Sequence, residues 1–264
     1  MADSPVDEEL RIARTAPERA EVFGYDFEKL RKNARLISWA SAAVIALVFL
    51  VIAVPVAFAQ IDRSLLDDDS GWFIVDLGPL AAAFVVLIVS LLATQVVLRV
   101  VKNLSPVRQQ LVAESVQALA IAVGLTVVVL LNRAESTALL AILVGALAIA
   151  SVQASSATMI VWAFRTGSKQ LPFIIEQHRS LPAEATVLGG RPWRTVEMIV
   201  GHAVTVMALP IAVWMHPALA VPAAALYVVG AVLGNWGSMT GRRRLADAAQ
   251  RITPIVLLAS ALLP

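Results

Sequence analysis

Apolar runs of about 20 residues, the length a helix needs to cross the hydrocarbon core of a bilayer, recur along this 264-residue chain and leave it few folds. Six stretches qualify: residues 36–60, 72–98, 111–131, 137–164, 195–215 and 217–239. A seventh, 252–263, is apolar but short, and it reads as a span with Arg251 snorkelling at its end. Lipid accepts only helices or closed barrels, and barrel strands would alternate over about ten residues where these runs do not. The expected fold is therefore all-α, a polytopic membrane helix bundle of six to seven transmembrane helices.

Composition agrees. The chain is 59% hydrophobic and 15% charged, where a soluble domain carries about 45–50% and about 25%. That excludes an ordinary soluble enzyme, a disordered chain and a nucleic-acid binder. Without cysteine there is no disulfide, thiol catalysis, iron–sulfur cluster or cysteine-held zinc. Seventeen arginines against four lysines in an Ala/Val-rich chain point to a bacterial source.

Placing these spans in a membrane sorts the basic residues. Nineteen of the 21 Lys and Arg residues fall on one side, and only Arg63 and Arg133 on the other. The positive-inside rule then puts the N-terminus in the cytoplasm of a multi-pass protein of the cytoplasmic membrane. Trp39, Trp72, Trp162, Trp193, Trp214 and Trp236 all fall near expected span ends, where an apolar ring with one polar N–H sits best. Ala57-Phe58-Ala59 has the form of a signal-peptidase site. The apolar run before it is near 20 residues, too long for a signal peptide's core of about 7–15.

Outside the spans, residues 1–17 read as a disordered tail, rich in charge and broken by Pro5 and Pro17. Residues 18–35 read as a cytoplasmic amphipathic helix with the stripe Ala20, Phe23, Phe27, Leu30 and Ala34. Three occupants suit that stripe: anionic lipid, a protein partner, or the protein's own cytoplasmic surface. The loop 165–194 is long and turn-rich, with Pro172, Pro182, Gly189-Gly190 and Pro192. Asp67-Asp68-Asp69-Ser70 reads as a solvated helix start.

Ionisable residues at membrane depth are costly, so each is a functional candidate. They are His202 and Glu197 on the fifth span, Glu114 on the third and Asp76 at the outer end of the second. Gln117 shares a helix face with Glu114, and Asn235 lies near the inner end of the sixth span. Gln95, Ser151, Gln153, Ser155, Ser156 and Thr205 add neutral polar groups, and most of the set falls in the cytoplasmic half. The expected lining of a cytoplasm-facing cavity is His202, Glu197, Glu114, Gln117 and Asn235, with Asp76 near an external gate. Ser and Gln also serve as hydrogen-bonding glue between helices.

Pro55, Pro79, Pro210, Pro222 and Pro254 lie within expected spans, where each removes a backbone hydrogen bond. Gly230, Gly234, Gly237 and Gly241 form two GxxxG steps, which pack helices within the bundle or between copies in a homo-oligomer. Pro79–Val86 and Pro222–Val229 echo one another, pairing spans one to three with five to seven as parallel repeats do. There is no Walker A loop, HExxH, GxSxG or Rossmann fingerprint, and no cofactor is expected.

These residues point first to a small-solute or ion transporter or channel. A non-catalytic membrane subunit, docking partners through the N-terminal helix and the 165–194 loop, is the alternative. A membrane-embedded lipid-modifying enzyme comes third.

Overall fold

The computed structural model describes residues 9–10, 12–61, 77–134, 138–169, 171–172, 174, 192–240 and 242–262. All regular structure among them is helical. In chain order the helices are α1 (Ala16–Val22), α2 (Phe27–Ile61), α3 (Leu77–Val100), α4 (Pro106–Asn132) and α5 (Ala138–Ser156). They continue as α6 (Met159–Thr166), α7 (Pro192–Met215), α8 (Ala220–Met239) and α9 (Arg243–Ala261). Asp76, Trp72, the acidic run 67–69 and residues 175–191 of the long loop lie outside the described residues.

Five stretches among the described residues are long and apolar enough to cross a membrane: Gly78–Val100, Val107–Asn132, Ala138–Thr166, Thr195–Met215 and Pro217–Met239. The protein is thus a multi-pass, membrane-protein-like helical bundle. Val85, Ile88, Leu92 and Val96 on α3, together with Val221 and Val229 on α8, are exposed, an apolar surface compatible with contact with a lipid bilayer. Trp39 and Trp193, 75% and 74% exposed, also point outward, as side chains of an interfacial belt do.

Local chemistry sets the helix ends. Pro106 opens α4 at the position where a missing N–H costs nothing. Gln109 then ties the preceding turn by donating Nε2–H to the carbonyls of Lys102 (3.1 Å) and Leu104 (2.7 Å). Pro79 and Pro222 fall in the first turns of α3 and α8, so neither breaks its helix. Pro210 and Pro254 do lie inside α7 and α9, where they release the carbonyls of Val206 and Gln250 from i→i−4 bonding. A turn at Ala157–Thr158 divides the run 138–164 into α5 and α6. There the hydroxyls of Ser155, Ser156 and Thr158 donate to the carbonyls of Val152, Gln153 and Ser155, side-chain bonds that compete with the helix ladder. Residues 252–261 of the apolar stretch form the second half of α9, which starts nine residues earlier at Arg243.

The N-terminal stripe is divided between two helices. Thr15 caps α1, and Glu18 accepts from the N–H groups of Arg14 (2.8 Å) and Thr15 (2.9 Å). Those backbone donors hold the Glu18 carboxyl below the usual carboxylate range. The cap is therefore complete at neutral pH and is lost as pH falls through the depressed pKa. Gly24, at φ 71°, turns the chain in a conformation that costs glycine little. Phe23, Tyr25 and Phe27 then surround Phe164 of α6, with ring centroids 5.9–6.5 Å apart. Arg19 donates to the carbonyls of Phe164 (2.7 Å) and Arg165 (3.1 Å), groups left unpaired at the end of α6. The stripe is thus covered by the protein itself.

Helices α8 and α9 approach closely. A Cβ at Gly237 would lie 2.7 Å from the backbone nitrogen of Ala246, and one at Gly230 would overlap the Thr253 side chain. At Gly234 the nearest atoms are 3.9 Å away. Gly230 and Gly237, one from each GxxxG step, therefore pack α8 onto α9 within one chain, and Gly241 lies outside the described residues.

Two outcomes are expected. Gly237→Ala should lower stability by about 1–3 kcal/mol through overpacking, read as a drop in detergent Tm, while Gly234→Ala leaves Tm nearly unchanged. Phe164→Ala should free α1, which limited trypsin digestion would report as faster cleavage after Arg14 and Arg19.

Candidate functional site

Helices α4, α7, α8 and α9 each turn a mixed polar and small-residue face inward at the end of the bundle that holds the α3–α4 and α8–α9 connections. On α4 the face is Gln110, Glu114 and Gln117, spaced four and three apart. On α7 it is Met198, His202 and Thr205, with Ile199 beside them, and on α8 it is Tyr227, Gly230, Gly234 and Asn235. Thr94 from α3, Gln153 from α5 and Gln250 and Thr253 from α9 complete the wall. They enclose a cavity of about 340 Å³, within the range of small-ligand sites. By helical rise, Glu114 and His202 lie about 12 Å and about 15 Å along α4 and α7 from their first residues.

Beyond the cavity the bundle is closed by apolar packing. Ile121, Leu125 and Val129 of α4, Ile142, Ala146 and Ile149 of α5, and Val206, Leu209 and Val213 of α7 are all fully buried. The polar chamber therefore occupies one half of the bundle and a dry core the other.

Inside the chamber, Gln110 donates to one carboxylate oxygen of Glu114. No Lys or Arg among the described residues pairs with that carboxylate. His202 Nε2 lies 2.9 Å from Gln153 Oε1, so the Nε2–H tautomer donates to the amide oxygen. Thr205 returns its hydroxyl proton to the Gly201 carbonyl at 2.7 Å. No group of three His, Asp or Glu residues able to hold a metal occurs among the described residues.

Four of the six residues expected at the site, His202, Glu114, Gln117 and Asn235, meet in this chamber. Glu197 does not join them. Four residues from Gly201 on α7, it lines a separate groove between α7 and α9, of about 520 Å³, where it pairs with Arg251 at 2.6 Å. Met198 and Gln250 line both spaces, so the two share a wall. Asp76 lies outside the described residues. The sequence offers Gln153 only as one of several neutral polar groups at membrane depth, and it does not single out Gln110, Tyr227 or Thr253. Gln110 was recoverable from its i,i+4 spacing to Glu114.

No protein-family model, no curated protein and no solved structure matches this chain. Its class is defined by the bundle alone.

The chain has no cysteine, so single introduced thiols report the chamber directly. Ala231→Cys and Ala154→Cys, on the chamber wall, should react with a water-soluble thiol reagent in purified protein, and Ala146→Cys in the dry core should not. Intact-protein mass shifts read the result.

Proposed function

We propose that this protein is a small-solute or ion transporter or channel of a bacterial cytoplasmic membrane. Its chamber opens to the cytoplasm, and Glu114, Gln117, His202 and Asn235 form the solute-contacting wall. The observation that carries this reading is the convergence of polar side chains from six helices on one cavity inside an otherwise apolar bundle. Polar groups at membrane depth are expensive, and most of these make no interhelical hydrogen bond among the described residues that would account for them as glue. Within that set His202 with Gln153 is the exception.

In this reading α2 and α9 are the sixth and seventh spans. The N-terminus is cytoplasmic because 19 of the 21 Lys and Arg residues fall on one side of the spans expected from the sequence. Glu197, paired with Arg251, lines the α7–α9 groove and not the chamber. Asp76, by its sequence position, belongs to the external side of the path. The alternative, a subunit that docks partners through its N-terminal stripe, has less support because Phe164 and its neighbours already cover that face.

The test is entry of a panel of small solutes into proteoliposomes, read as swelling by light scattering. Purified wild-type protein should accelerate at least one solute over protein-free vesicles. Ala231→Phe, which fills the chamber, should reduce that rate by about tenfold or more, equivalent to at least one 1.4 kcal/mol step. If no solute enters faster than in empty vesicles, and a stoichiometric second polypeptide accompanies the protein out of its membrane, the subunit reading replaces this one.

A further inference from the structure

The chamber's charge identifies the class of solute it takes. No Lys or Arg among the described residues lines it. Its ionisable groups are the Glu114 carboxyl from α4, the His202 imidazole from α7 and the Tyr227 hydroxyl from α8, while α3, α5 and α9 contribute only neutral groups. An anion would find no fixed counter-charge there, and burying an unpaired charge is prohibitive.

A cation meets the opposite situation. One Glu114 oxygen accepts from Gln110, a neutral amide, and the other has no partner among the described residues. Amide oxygens of Gln117 and Asn235 stand on the same wall, able to accept from an ammonium group. The remaining wall is small and apolar, with Ala118, Ala154 and Ile199 suited to a short hydrocarbon body. A cavity of about 340 Å³ has room for a small molecule.

We infer that the chamber binds a small protonated amine, its ammonium group paired with Glu114 and its short apolar body against the alanine-lined wall. This deepens the transport reading and rests on the same chamber.

Calorimetric titration of the full-length protein in nanodiscs with n-butylammonium, n-butanol and butyrate tests the inference. n-Butylammonium should bind, and the uncharged alcohol and the anion should bind about tenfold more weakly or not at all. Glu114→Gln, which keeps the amide-sized shape, should weaken the amine about tenfold or more, while Glu114→Asp retains binding and Glu197→Gln leaves it unchanged. Equal binding of alcohol and amine, preference for butyrate, or full binding in a folded Glu114→Gln protein would each overturn the assignment. If none of the three probes binds while proteoliposomes still pass another solute, the amine assignment fails and the transport reading stands. If flux is absent but the amine binds through Glu114, the converse holds.

Discussion

Backbone N–H and C=O groups crossing hydrocarbon have no water to turn to, so each must find its partner within its own helix or in a neighbouring element. That requirement sorts the rest of this molecule. It makes the apolar segments helical, and it confines departures from regular helix to places where side chains supply the missing bonds. At the α5–α6 turn, Ser155, Ser156 and Thr158 do so with their hydroxyls. At the end of α6, Arg19 reaches from another element to take the open carbonyls.

The same economy shapes the interior. Where α8 meets α9, small residues let backbones approach until a single methyl at Gly237 would collide with Ala246. Where α4, α7 and α8 face one another at the arginine-rich end, longer polar side chains hold a chamber open between them. Close packing on one side and a polar lumen on the other are joined through α8, whose Gly230 belongs to both. The apolar core around Leu125 and Leu209 then seals the far half.

Much of this was legible from residue order. The apolar runs located α3, α4, α7 and α8 to within a few residues, because burial in lipid demands hydropathy over a whole segment rather than at single points. Proline positions were easier to see than to interpret: Pro79 and Pro222 fall in first turns, where they are harmless. The stripe from Ala20 to Ala34 was visible too, but what covers it was not. Phe164 lies more than 130 residues further along, and nothing local announces that three aromatic rings will close around it.

Residue order alone therefore settled the membrane habit, the helical class and the short set of polar groups that had to be explained, since hydropathy and charge act segment by segment. Which of those groups share one space was decided by tertiary packing. Each residue step turns a helix by about 100°, so Met198 and His202 can line the chamber while Glu197, next to Met198, opens onto the α7–α9 groove and Arg251. The rotation of α7 that separates them is set by contacts with α5, α4 and α9, elements distant in the chain.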